Sequence, residues 1–334
     1  MPPGNASGPS PPCSPVGLSA VNAAFSVLLL LSFPVALLLN AAAAWLSLRL
    51  RSTSTFVVYL KNLAAADLLV TLALPSMAAS ALPGAGDALK AFTCRYSGVV
   101  FYSALYTSIA LMGLISLDRF FKVVRPYGRA LGQSVAFSVG ASASVWVVMF
   151  GSTAVPTVVL TNQRPANATG DFCMAMKGAA GVALHKCVVL FMEMLFWSVT
   201  VLIGFCYVCI TLKVLQSFRK SGSSNSGGKK KTKLRVFSVL LVFVVCFVPF
   251  HVMRVPFTVN ADFDLCSDMW LFVVHSLTLW LSTTNSCLDP LLYVYLSREF
   301  RDKAVDMVKA GGVCVGFCSN ERVSQAEKVE HPTT

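Results

Sequence analysis

The feature that most constrains this chain is a succession of long apolar runs, each bounded by short polar or charged segments. Seven can be drawn, at roughly 18 to 48, 55 to 82, 91 to 123, 134 to 159, 185 to 216, 232 to 260 and 270 to 296. At about 1.5 Å of rise per residue, each is long enough as a helix to cross the roughly 30 Å hydrocarbon layer of a bilayer with some tilt. With 334 residues, 55% of them hydrophobic and 13% charged, and a mean hydropathy of +0.68, the chain is too apolar for a soluble domain of that length. The expected fold is an all-α membrane protein, a seven-transmembrane-helix bundle closed by a short amphipathic eighth helix. Its expected parts are an extracellular N-terminal tail over 1–17, a bundle over 18–310 and a cytoplasmic tail over 311–334.

A formal net charge of +12 would suit a nucleic-acid binder, but its location argues otherwise. If the N-terminus lies outside and the runs alternate, most of the 27 Lys and Arg fall in cytoplasmic loops and the tail, which is the positive-inside pattern. The basic tract Lys229, Lys230, Lys231, Lys233 and Arg235 abuts an apolar helix, as a membrane-flanking or partner-facing loop would. The glycosylation sequons at Asn5 and Asn167 fall on the side this rule puts outside. The first 17 residues, rich in Pro, Gly and Ser, lack the basic start of a cleavable leader, so the first span is expected to act as signal anchor.

Local signals refine the runs. Leu82-Pro-Gly-Ala-Gly86 reads as a turn that stops the second helix near Ala81. From Ser297 to Ala310, Phe300, Ala304, Met307 and Val308 share one face, with Arg298, Arg301 and Lys303 largely off it, the pattern of a helix lying on a membrane. Cys314 and Cys318 follow it as candidate palmitoylation sites. The segment Ser221 to Gly228 and the tail from Ser319 are polar and expected to be flexible.

Polar groups inside a span are costly, so each invites a functional explanation. Asn40, Asp67, Asn285 and Asp289 stand near one depth in the first, second and seventh runs and could hold Na⁺ and waters. The alternative is that they only join helices by hydrogen bonds. Cys94 and Arg119 lie 25 positions apart, about 37 Å of helix, and so mark opposite faces of the third span. Asp118-Arg119 at the inner end makes an acid and a base that can pair or separate. Pro249 in the sixth run and Pro290 beside Asp289 in the seventh each free a backbone carbonyl and permit a kink.

Asn40, Asp67, Asp118-Arg119-Phe120, Trp146, Pro249 and Asp289-Pro-Leu-Leu-Tyr293 together resemble the helix-by-helix signature of rhodopsin-class G-protein-coupled receptors, with Phe120 and Asp289 as deviations known within the class. The resemblance implies that Arg119 engages a G protein once the sixth helix swings outward, with Tyr207 and Tyr293 lining the opened cavity. Arrestin and receptor kinases are further partners it implies. Longer strings, Ser54-Thr-Phe-Val-Val-Tyr-Leu-Lys-Asn62, Phe101-Tyr102, Leu160-Thr-Asn162, Cys246-Phe-Val-Pro-Phe-His251, Arg254-Val-Pro-Phe257 and Leu279-Trp-Leu281, resemble the P2Y-type nucleotide receptors of the ADP- and UDP-sugar-sensing branch. That branch implies a plasma-membrane receptor for an extracellular nucleotide, coupled to an inhibitory G protein.

In such a receptor, basic groups in the outer halves of helices three to seven hold the phosphates and aromatics hold the base. The matching set here is Arg254, Tyr102, Tyr106, His185, Lys90, His251 and His275. Tyr102 and Tyr106, four apart, share a face suited to stacking or hydrogen bonding, or to plain helix packing. Arg254 is a cation in an apolar helix, which an anionic ligand would explain. Lys90 and His185 would add positive potential, unless they are exposed loop-end residues. Several branch positions differ: His275, mostly neutral at pH 7, replaces a lysine, and Ser276, Val189, Thr157 and Phe257 replace polar groups. Lost charge-assisted contacts would weaken nucleotide binding, which leaves a lysophospholipid, with its single phosphate and apolar tail, as the rival ligand.

An amine ligand is disfavoured by Phe101 on the third run, and retinal by a seventh run without lysine. A transporter, the rival class, would show internal repeats with matching broken helices. An intramembrane enzyme would need a nucleophile with a base or paired aspartates at one depth; Asp67 and Asp289 come nearest, and the receptor resemblance favours an ion site there. Cys13, Cys94, Cys173 and Cys266 are expected outside, where two disulfides can form. Spacing leaves three pairings open, and the resemblance implies Cys94 with Cys173 and Cys13 with Cys266. Cys187, Cys206, Cys209, Cys246 and Cys287 lie in spans as small packing residues.

Overall fold

A computed structural model of the protein describes residues 15–50, 54–124, 134–163, 172–220, 226–259, 269–296 and 300–306, with the side chains of 15, 16, 218–220, 226–237, 255–259, 293, 295 and 296 excepted. Its architecture is a bundle of helices. The first runs Pro15–Arg49, the second Thr55–Ala81, the third Asp87–Val124, the fourth Val135–Leu160, the fifth Ala179–Lys220 and the sixth Ser226–Val259. The seventh is built of two pieces, Met269–Thr283 and Asn285–Leu296, joined at Thr284. The first five are long and apolar enough to cross a membrane, and the described apolar part of the sixth is Ser238–Arg254. Among the described residues the only extended pairing is an isolated bridge between Thr161 and Lys177.

The exterior is unlike that of a protein in water. Leu48 is 78% exposed and Leu38 73%, while Asn40, Thr71 and Ser282 are fully enclosed. A surface of leucine and valine around an interior that encloses polar side chains among apolar ones suits lipid as the solvent.

Local chemistry explains the ends. Ser54 and Ser134 cap the second and fourth helices, their hydroxyls accepting from Val57 N–H at 3.4 Å and Phe137 N–H at 3.1 Å. The second helix stops at Ala81, as expected, because Pro83 holds Leu82 extended (φ −65°, ψ 142°). Gly84 then takes φ 81° and Ala85 N–H donates to Leu82 O at 3.1 Å, closing a turn with Pro and Gly at its two central positions.

Other boundaries moved. The fifth helix begins six residues earlier than its apolar run, because Val182 N–H donates to Gly178 O and continues the turn outward. The sixth begins at Ser226, inside the segment expected to be flexible. Two stretches, Thr93–Ser97 and Val147–Ala154, are π-helical. Of the expected eighth helix, 300–306 is helical, with Phe300 buried and Asp302, Lys303 and Val305 exposed. Met307, Val308, Cys314 and Cys318 lie outside the described residues, as do Asn5, Asn167, Cys13 and Cys266.

Candidate functional site

The third helix runs through the centre of the bundle, and its Cys94 end opens on a cavity of about 590 Å³. A disulfide joins Cys94 to Cys173, 79 positions away, and draws the loop before the fifth helix over this opening. The pairing is the one the resemblance implies. That loop also pairs back on the residues just past the fourth helix, with Gln163 N–H donating to Met176 O at 3.0 Å. Both π-helical stretches supply lining residues, Thr93 and Cys94 from one and Thr153 from the other. An extra residue per turn re-aims side chains without ending the helix.

Five of the seven expected ligand residues line the cavity: Tyr102, Tyr106, His185, Arg254 and His275. Arg254 Nη1 donates to Tyr106 Oη at 2.7 Å, and its guanidinium lies 5.4 Å from the Tyr102 ring centre and 5.7 Å from that of Phe250. His251 does not line the cavity but supports it from beneath. Its Nδ1 is 2.9 Å from Phe247 O, and since a carbonyl only accepts, Nδ1 carries a proton. In the neutral imidazole Nε2 then accepts from the Tyr106 hydroxyl at 2.9 Å. Arg254 to Tyr106 to His251 to Phe247 O is therefore one directional chain of donors. The His251 ring stacks on Phe196 with centroids 3.5 Å apart, which fixes its plane. Lys90 is not a lining residue and sits 5.9 Å from the Phe172 ring.

Three residues at the site are absent from the sequence expectation. Lys177 and Lys186 line the cavity, so its wall carries three firm cations with Arg254. Lys177 follows Cys173 by four residues, and only the disulfide shows that this loop covers the opening. Glu193, on the fifth helix, is 8% exposed and places Oε1 3.8 Å from Arg254 Nε. An acid within an apolar span was the available signal.

Midway along the bundle the four expected polar residues come together. Asn40 Nδ2 reaches Ser286 O at 2.8 Å, Ala36 O at 3.0 Å and Thr71 Oγ1 at 3.3 Å, joining the first helix to the second and seventh. Ser108 donates to Asp67 Oδ1 at 2.8 Å, and Asn285 Nδ2 to Asp289 Oδ2 at 2.7 Å. The Asp289 carboxyl lies against that of Asp67. Asn40 Oδ1 and Asn285 Oδ1 are buried and accept no hydrogen bond from a described residue.

At the Arg119 end, Asp118 does not take its neighbour as partner. Its Oδ2 accepts from Lys122 Nζ at 2.8 Å and its Oδ1 from Thr55 Oγ1 at 2.6 Å. An i,i+4 spacing puts Lys122 on the same face one turn on, which residue i+1 cannot reach. Arg119 instead lies over the Phe56 ring, 3.8 Å from its centre, with Tyr207 nearby. Trp146 Nε1 donates to Asn62 Oδ1 at 2.9 Å, tying the fourth helix to the second. Pro249 lies within the sixth helix and Pro290 within the second piece of the seventh. Tyr293 falls in that piece with its side chain outside the described set.

Comparison with known proteins accords with this geometry. The family described as "7 transmembrane receptor (rhodopsin family)" matches residues 39–293. P2Y purinoceptor 13 of Homo sapiens is 38% identical over 286 residues, covering 85% of this chain and 80% of the relative. P2Y purinoceptor 14 of Bos taurus is 36% identical over 273 residues, 81% of each. G-protein coupled receptor 87 of Mus musculus is 36% identical over 277 residues, 82% of this chain and 77% of the relative. The chain therefore belongs to the rhodopsin family of seven-transmembrane receptors, multi-pass plasma-membrane proteins that answer an extracellular ligand by engaging a G protein, and it is a receptor rather than an enzyme.

Proposed function

We propose that this receptor takes an extracellular anionic ligand, a nucleotide of the ADP type or a nucleotide sugar, and couples to an inhibitory G protein. One observation carries the reading: a single cavity presents Arg254, Lys177 and Lys186 together with Tyr102 and Tyr106. Cations suit phosphate oxygens through charge-assisted bonds, and phenol rings suit a base by stacking. The purinoceptors named above support the same choice. The N-terminus and the cavity face outside and Arg119 the cytoplasm, a placement favoured by the charge pattern and by a disulfide at the cavity mouth. An N-terminal epitope tag stained on intact cells checks it; staining only after permeabilisation would reverse it.

A second reading, a lysophospholipid, is favoured by the apolar wall of Met77, Val99, Val188, Val189 and Met192. The two are separated by one panel. Expressed receptor is exposed to ADP, ATP, UDP-glucose and lysophospholipids, with G-protein activation and cyclic AMP as readouts. Nucleotide activation and falling cyclic AMP are expected, and Arg254→Ala should weaken potency by about 10- to 100-fold, the loss of one charge-assisted contact in a buried site. Activation by a lysophospholipid alone would replace the nucleotide with the lipid, and an agonist indifferent to Arg254→Ala would sink the pocket.

On ligand binding, Arg254 is drawn toward the phosphate, and its chain through Tyr106 and His251 to Phe247 O couples that shift to the segment just before Pro249. The sixth helix can then swing at its proline and uncover Arg119 for the G protein. Arrestin and receptor kinases act on the same opened end. The mid-bundle cluster suits Na⁺: the Asp67 and Asp289 carboxyls lie together, and the buried amide oxygens of Asn40 and Asn285 accept nothing from a described residue, which is the oxygen-rich chemistry a hard cation needs. Replacing Na⁺ by a bulky organic cation should lower the thermal stability of the wild type but not of Asp67→Asn; equal responses would leave the cluster as helix glue.

A further inference from the structure

We infer that Glu193 is a positioning and specificity residue, an acid set behind Arg254 that decides how much negative charge the ligand can carry. The inference rests on the anionic-ligand reading and adds the charge rule to it. Glu193 stands on the fifth helix, enclosed, with Oε1 3.8 Å from Arg254 Nε. Neither of its oxygens accepts a hydrogen bond of ordinary geometry from a described residue, although the Trp197 indole is beside it. Its carboxylate is also close enough to Tyr106 to act on that hydroxyl. Met192, its chain neighbour, lines the cavity while Glu193 does not, so the acid acts on a ligand through Arg254 and Tyr106, which do.

Two consequences follow from charge. Arg254 faces Glu193 on its Nε edge and donates from Nη1 to Tyr106 Oη, which fixes where the guanidinium stands in the cavity wall. The pair has no net charge, so the floor attracts an anion less than a lone arginine would. Repulsion from a fixed carboxylate grows in proportion to ligand charge. The rim cations Lys177 and Lys186 draw anions in, while Glu193 limits how many charges can settle at the bottom. A ligand that sends one or two phosphates to the floor is favoured over one that sends three.

Glu193→Gln removes the charge and keeps the shape, Glu193→Leu removes it in a form a membrane core accepts, and Glu193→Asp keeps it. Purified receptor is titrated with inorganic phosphate, pyrophosphate and tripolyphosphate by thermal shift, and cells with AMP, ADP and ATP by G-protein activation. Gln and Leu should tighten monophosphate binding about threefold and triphosphate binding at least about tenfold, with Asp close to wild type. A purely structural role would move every ligand by one factor, so the slope against ligand charge is decisive. A uniform shift, or none, in both series overturns the inference. If the inorganic series shows the slope while no nucleotide activates any variant, the inference stands and the nucleotide reading falls. If nucleotides activate and the slope is flat, the reverse holds.

Discussion

Tyr106 has two obligations at a single hydroxyl: it accepts from Arg254 at 2.7 Å and donates to His251 Nε2 at 2.9 Å. Its side chain is fully enclosed, so no solvent replaces either bond. Tyr106→Phe should cost about 1–3 kcal/mol, because a guanidinium donor and an imidazole acceptor are left unpaired in a buried site. The expected outcome is a lower apparent melting temperature in detergent together with weaker agonist potency. Unchanged potency would mean that the Arg254 chain takes no part in ligand response. The two tyrosines and Arg254 were visible in the sequence because a cation and a matched pair of phenols in apolar helices are unusual there. The role of His251 was not, since a histidine on that face could equally have met the ligand, and only the stacked Phe196 ring places it underneath.

At the scale of the element, the cavity depends on where the fourth helix hands over to the fifth. Gly181 sits where a Cβ would come 2.7 Å from Leu160 O and 3.1 Å from Lys177 Cβ. A backbone carbonyl cannot rotate aside, so Gly181→Ala should push the start of the fifth helix off the fourth, at about 1–3 kcal/mol for overpacking. Because His185 and Lys186 ride on that segment, ligand affinity should fall along with thermal stability. Gly204→Ala is the matched control, since nothing lies within 4 Å of its Cβ position. Equal behaviour of the two variants would show that the close approach is not needed. Helices were predictable from apolar length alone, and the end at Ala81 from Pro83 and Gly84. The π-helical stretches at Thr93–Ser97 and Val147–Ala154 were not, as one added residue per turn leaves no mark in composition.

The molecule as a whole is closed at one end by the Cys94–Cys173 bridge, which crosses a separation of 79 residues. Loops of that length cost conformational freedom to close, and a native bridge of this kind contributes about 2–5 kcal/mol. Cys94→Ser and Cys173→Ser should each reduce surface expression and ligand response, and the double variant should be no worse than either single one. Additive losses would indicate that the two cysteines act separately. At the other end Arg119 rests on Phe56 while Lys122 holds Asp118.

Length, hydropathy and the placement of basic residues determined by themselves that this chain is a bundle of spanning helices, because lipid leaves an apolar backbone few other ways to satisfy its hydrogen bonds. The order of Asn40, Asp67, Asp118-Arg119, Trp146, Pro249 and Asp289-Pro290 determined the family, since each motif stands at a fixed depth on its own helix. Tertiary structure alone decided the partnerships. Lys122 rather than Arg119 holds Asp118, Glu193 stands behind Arg254, Lys177 and Lys186 join the cavity wall, and Lys90 stays off it. Each of these depends on how far one helix is turned against the next, an angle set by packing across the whole bundle and not by any one segment of sequence.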